Sequence, residues 1–231
     1  MIFAEVILDK LLAVCGRFPK ERIDCVNIRD VADCLERGSG GLMITAHVGC
    51  LELCQVAAEQ VAGLRLNVLV HTRHAERFNE LLSRLGPRRN VRLLQVTEIG
   101  VHTAADLADR IAAGEFVAIV GDRVPVGGGR VTVRPFLGVP APFPQGPWIL
   151  AALLGCPVFF ISCLRHPENA GYRIDASLVA ERVFLPRKQR DDALVPYIDA
   201  YARWLEHLVA IDPYQWFNFF DFWRQPAHVR T

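Results

Sequence analysis

The chain has almost no net charge: 26 Lys and Arg stand against 25 Asp and Glu, a formal charge of +1. That balance removes the global electrostatic reason for a nucleic-acid partner, which a basic face would otherwise supply. There is no CxxC pair either. The seven cysteines, Cys15, Cys25, Cys34, Cys50, Cys54, Cys156 and Cys163, are odd in number and scattered in apolar surroundings. This argues against both a disulfide framework and a zinc knuckle, and reads as reduced, mostly buried thiols of a cytosolic protein. No apolar run approaches the roughly 18 residues of a spanning helix. The N-terminus lacks the basic region and cleavage site of an export signal, so the chain reads as neither exported nor transmembrane. Internal repeats, low-complexity tracts and linkers are missing too, which leaves nothing to divide residues 1–231 into more than one domain.

What is present is apolar and periodic. With 231 residues and 52% hydrophobic composition, the chain can bury one large core. The first segment, "MIFAEVILDKLLAVCG", spaces its apolar residues as a helix and stops at Gly16; packing on the domain is favoured over lying on a membrane. A short helix ending near Gly38 is followed by "GLMITA" (41–46), a buried strand, and by a helix over 49–61. Strands at 66–71, 91–96 and 116–121 alternate with amphipathic helices at 75–86 and 103–114. Such alternation predicts parallel pairing through right-handed crossovers, hence an α/β fold with a mostly parallel sheet covered by helices on both faces. The remainder reads as a strand at 130–136, a helix at 145–155, antiparallel neighbours at 157–165 and 172–178, and a long helix over about 192–210.

In a parallel α/β sheet the turns at the carboxyl ends of the strands share one edge, where ligands bind. His47 follows the first of these strands, Thr72, Arg73 and His74 the second, and Asp122 with Arg123 follow "FVAIVG". All should face one crevice. Five residues along a continuous helix is about 500°, which would leave His47 and Glu52 about 140° apart. They can meet if His47 sits in the turn and Glu52 in the first turn of the helix. A carboxylate there would fix the imidazole tautomer while His47 takes a proton from a hydroxyl. For the two residues alone, a capping or core histidine beside an ordinary first-turn glutamate is the competing reading.

Several blocks in order carry a resemblance. "HVGCLE" matches the His, four residues, Asp or Glu motif (HX4E) of the lysophospholipid and lipid A acyltransferase superfamily. "GDRVP", "VTVRPFLGVPAPFPQGP" and "LLGCPVFFISCLR" resemble further blocks of the lipid A acyltransferases. The opening "FAEVILDKLLAVCGRF" and closing "PYQWFNFFDFW" look like the acyltransferases associated with aryl polyene and xanthomonadin-type pigment biosynthesis. The resemblance implies a glycerol-phosphate acyltransferase-like single domain. It implies O-acyl transfer from a thioester on acyl carrier protein or coenzyme A to a hydroxyl of a lipid or pigment precursor. No cofactor is implied. Residue by residue, His47 matches the base and Glu52 its acidic partner. Arg73 falls where a substrate-binding basic residue is placed, Asp122 and Arg123 match the acidic block, and Gly138, Pro144 and Gly146 match the loop shaping the acceptor site. Relatives of this kind usually carry a longer apolar N-terminal segment that associates with the membrane; here the match begins near Met1, so the expectation is either a truncated form or another membrane contact, a peripheral one at the cytoplasmic face of the inner membrane.

Other features are weaker. "VGGGR" (126–130) lacks the Lys and Ser/Thr of a P-loop and reads as a loop over the cleft. Arg73, Arg123, Arg130 and Arg134 could receive phosphopantetheine or an acidic carrier, and each is equally a solvated charge. His71 and His74 with His47 and Glu52 are too diffuse to make a metal site. The aromatics from Tyr214 to Trp223 read as a tail covering the sheet edge or an apolar tunnel, with a membrane belt as the alternative. Cys50 carries a minor reading as an acyl acceptor or thioesterase nucleophile. An acyl chain needs a dry wall, expected from Leu51, Cys54, the helix of Trp148 and part of the aromatic tail. The alternatives to an acyltransferase are a non-catalytic acyl-carrier or lipid-binding module and a thioester hydrolase.

Overall fold

Period-two alternation along buried strands sends successive side chains to opposite faces of a sheet. The computed structural model, which describes residues 2–59, 61, 63–70, 90–95, 101–125, 128–166, 168 and 171–224, turns that alternation into two cores. In chain order the elements are α1 (Ile2–Val14), β1 (Ile23–Val26), α2 (Arg29–Glu36), β2 (Leu42–Thr45), α3 (Glu52–Ala58), β3 (Leu66–Val70) and β4 (Val91–Gln95). They continue with α4 (Val101–Ala112), β5 (Phe116–Val120), β6 (Val131–Phe136), β7 (Val139–Pro144), α5 (Gly146–Leu154), β8 (Val158–Arg165), β9 (Tyr172–Ala180) and α6 (Arg190–Ile211). The helix expected over 75–86 lies outside the described residues.

Seven strands form one sheet in the order β1-β9-β8-β2-β5-β3-β4. Every neighbouring pair is parallel except β8 with β9. The expected α/β class, with a mostly parallel sheet and an antiparallel β8–β9 pair, is what the structure has. On one face Leu42, Ile44, Val117, Ile119, Val158 and Phe160 pack against α4, α5 and α6. On the other, Met43, Ala118, Phe159 and Ile161 meet α1, α2 and α3.

Two strands escaped the sequence reading. β1 is four residues long and pairs only with β9, from far along the chain. β7, "VPAPFP", has proline at every second position. Proline cannot donate to a ladder, so it reads as loop. Here β7 pairs with β6 alone, as a separate two-stranded hairpin. Pro140, Pro142 and Pro144 share one parity, and the residues between them, Ala141 and Phe143, keep their N–H groups for the ladder.

Candidate active site

The turn after β2 is built by close backbone approach. Gly49 has φ 69°, and a Cβ there would lie 1.9 Å from the carbonyl oxygen of Cys163; only glycine fits. The neighbouring backbone is clamped from two sides. Cys50 N–H donates to the Cys163 carbonyl of β8 at 2.9 Å, and Gly49 N–H donates to the Gln215 carbonyl at 2.9 Å. The C-terminal tail closes the clamp: Phe217 N–H donates to the His47 carbonyl at 3.0 Å. His47 therefore sits in the turn, five residues ahead of Glu52, the first residue of α3.

Strand register decides which acid meets the imidazole. Thr45 of β2 is aligned with Val120 of β5, so two residues further along each chain His47 comes beside Asp122. The Asp122 Oδ1 lies 2.7 Å from His47 Nδ1, and Oδ2 accepts the His47 backbone N–H at 3.0 Å. Gly121 makes this approach possible: a Cβ would press on Ile44 and on the Tyr201 ring, each at 2.9 Å. Asp122 is 1% exposed. A carboxylate only accepts, so Nδ1 carries the proton, and in the neutral ring the lone pair is on Nε2.

Glu52 is occupied elsewhere. Its Oε2 forms an ion pair with Lys10 of α1 at 3.2 Å and accepts from the Cys50 thiol at 3.8 Å. Burial, and then the Glu52 charge, push the Cys50 thiol well up from its ordinary value. A thiol held protonated in this way is a poor nucleophile, and the structure gives the minor reading of Cys50 as an acyl acceptor no support.

Between the sheet and α3 lies a cavity of about 310 Å³, at the small end of ligand pockets, which run from about 300 to 1,000 Å³. Its floor includes Val68, Ala118 and Met43, side by side on β3, β5 and β2, with Ile161 of β8 two residues beyond that register, and Leu51 and Cys54 belong to the α3 side. The polar residues in its wall are His47, Glu52, Lys10, Thr45 and Gln55; Phe217 of the tail also lines it. The expected apolar path beside His47 is present, with one correction. Trp148 is not in the wall: it is buried on the opposite face, stacked on Tyr197 and edge-on to Phe160. Odd and even positions of the strands face different helices, and α5 took the other side.

The remaining candidates are dispersed. Arg123 donates to the Phe217 carbonyl at 3.2 Å and lies 5.2 Å from the centre of the Phe220 ring. Burial lowers the basicity of its guanidinium. Gly138 occupies the β6–β7 turn, where the Leu137 N–H donates to Glu206; Pro144 ends β7 and Gly146 begins α5. None of these three lines the cavity. Phe136 and Phe143 of their hairpin pack into the opposite core, against Phe222 and Tyr201. Arg134 makes a two-pronged contact with Asp199. Arg73, with Thr72, His71 and His74, lies outside the described residues, as do residues 126–127 of the glycine-rich loop.

The sequence reading missed Asp122 as the partner of His47, Lys10 as the partner of Glu52, and Thr45. The first carried a signal: "TAH" and "GDR" each close a buried strand with a small residue before the polar one, but adjacency of those strands is not written in either.

The family model for bacterial lipid A biosynthesis acyltransferases matches residues 17–225. No curated protein matches the chain.

Proposed function

The chain belongs to the bacterial lipid A biosynthesis acyltransferase family, and on that premise we propose that it moves an acyl group from a thioester donor to a hydroxyl acceptor with His47 as general base. The observation that carries the reading is a histidine with one nitrogen held by a buried carboxylate, in the wall of a largely apolar cavity. In the proposed reaction the acceptor hydroxyl gives its proton to His47 Nε2 as its oxygen attacks the thioester carbonyl. Asp122 holds the ring in the productive tautomer and stabilises the imidazolium. As the tetrahedral intermediate collapses, the C–S bond breaks and the thiolate takes the proton back from His47. Atoms and charge balance without a cofactor.

Glu52 is the runner-up as the histidine's acid, because the HX4E motif implies it. We assign it instead to the cavity wall, where its pair with Lys10 holds α1 against α3. The donor is a thioester of acyl carrier protein or coenzyme A, and the acceptor a hydroxyl of a lipid or pigment precursor. Gly138, Pro144 and Gly146, remote from the cavity, would bear on the acceptor only from the hairpin side; Arg73 and Arg123 are the candidates for the donor's phosphates.

Peripheral membrane contact has its own support. Phe219 is 74% exposed, and Phe3 of α1 is exposed with Ile7 and Leu11, one and two turns further along the same side of the helix. Phe3 lies edge-on to both Phe217 and Phe219. Phe217 also lines the cavity, so an acceptor embedded in lipid would reach His47 from this side. Among the described residues no helix is long and apolar enough to cross a membrane.

The test is turnover of decanoyl-coenzyme A and decanoyl-acyl carrier protein, with and without hydroxyl acceptors. His47→Ala should lower acceptor-dependent turnover by roughly 10²- to 10⁴-fold, the usual contribution of a positioned base. Acceptor-independent thioester loss would make the chain a hydrolase, and acyl-chain binding with no turnover would leave a binding module.

A further inference from the structure

A buried polar atom without a hydrogen-bond partner is rare and needs a reason. Among the described residues there are four: Thr45 Oγ1, Gln145 Oε1, Arg165 Nε and Trp216 Nε1. Of these only Thr45 lines the cavity. It is 5% exposed, and its backbone carbonyl is taken by the Tyr201 hydroxyl at 2.8 Å and by the Gly121 N–H at 2.8 Å. Those two contacts fix the main chain, and the side-chain Oγ1 is left without a hydrogen-bond partner. Thr45 ends β2, and His47 follows two residues later in the turn. Both residues are in the wall of one cavity.

We propose that the Thr45 hydroxyl is a catalytic residue, donating its hydrogen bond to the thioester carbonyl oxygen as that oxygen becomes an oxyanion. The assignment rests on the acyl-transfer reading above. When the acceptor oxygen bonds to the carbonyl carbon, the carbonyl electron pair moves onto oxygen, and a donor waiting in a dry site stabilises the new charge. The pair returns to re-form the carbonyl as the thiolate leaves. Three backbone donors of the turn are already used: the His47 N–H binds Asp122, Gly49 N–H binds Gln215 and Cys50 N–H binds Cys163; of the side-chain donors in the wall, Lys10 is paired with Glu52. A hydroxyl left unpaired in the free protein costs stability there, and the cost is recovered when substrate oxygen arrives.

Thr45→Val keeps the shape and removes the hydroxyl. On a decanoyl thioester with an active acceptor, kcat should fall about 10²-fold with little change in KM, and Thr45→Ser should restore most of it. The melting temperature of Thr45→Val should be unchanged or higher, because no hydrogen bond is lost. A kcat equal to wild type would overturn the assignment, and so would a rate loss accompanied by a lowered melting temperature. Decyl phosphonate, a tetrahedral anion on an alkyl chain, supplies a second readout by titration: it should bind Thr45→Val at least tenfold more weakly than wild type, and equal affinity would overturn the assignment. If wild type turns over no acyl thioester, the acyl-transfer reading fails, and the phosphonate result alone decides whether Thr45 serves an anion in this cavity.

Discussion

The two faces of the sheet are made by alternate residues of the same strands, yet one face is solid and the other is hollow. On the solid side, Ile44, Ile119 and Phe160 meet α5 and α6 through large rings: Trp148, Tyr197, Tyr201 and Trp204. On the hollow side, the floor carries Ala118 between Met43 and Val68, and the cover is the seven-residue α3 with Cys54, Ala57 and Ala58. Short side chains under a short helix leave the room that bulky ones fill opposite. The cavity is made by where the apolar volume was withheld, and dense packing and open space are divided between the faces.

The division makes the largest effect a loss of stability with the site intact. Trp148→Ala, far from the cavity, should cost about 3–5 kcal/mol in chemical denaturation, the usual loss for a buried tryptophan, while kcat at low temperature stays near wild type. A kcat that falls with the stability would break the separation of the faces.

A substitution on the hollow face should do the reverse. Ala118→Leu puts volume into empty space, so the melting temperature should hold or rise. Each methylene shut out of the cavity forfeits about 0.8 kcal/mol. Excluding two or three should lower kcat/KM for a dodecanoyl thioester roughly 15- to 60-fold and leave a butanoyl thioester unaffected. Equal losses on both chain lengths would show that the cavity does not hold the acyl chain.

The same alternation explains what could be read in advance. The run "GLMITA", the turn at His47 and a helix after it follow from local pattern, as does the parallel sheet; the helix, expected over 49–61, runs only from Glu52 to Ala58. Trp148 lies on the face opposite the expected one, because periodicity tells that a helix packs, not which side of the sheet it takes. β7 was hidden by its prolines, and β1 by having its only partner far along the chain. Asp122 stands 75 residues from His47, and only the register of β2 on β5 brings them together, whereas Glu52 is near in sequence and is drawn off by Lys10. Local motifs reveal that an acid and a histidine share an edge; which acid holds the ring depends on pairing between strands.

That choice of acid is the centre of the account, and a double-mutant cycle on kcat/KM with a decanoyl thioester and an active hydroxyl acceptor tests it most directly. Asp122→Asn offers an amide N–H where Nδ1–H needs an acceptor, turning the imidazole to the unproductive tautomer. We expect it to cost about 10²- to 10⁴-fold alone and almost nothing more in a His47→Ala background, since a carboxylate without its imidazole has nothing to orient. Glu52→Gln should lose far less, and its loss should persist unchanged when His47 is absent. A full loss in Glu52→Gln that vanishes in the His47→Ala background, with Asp122→Asn close to wild type, would contradict the account and give the histidine to Glu52.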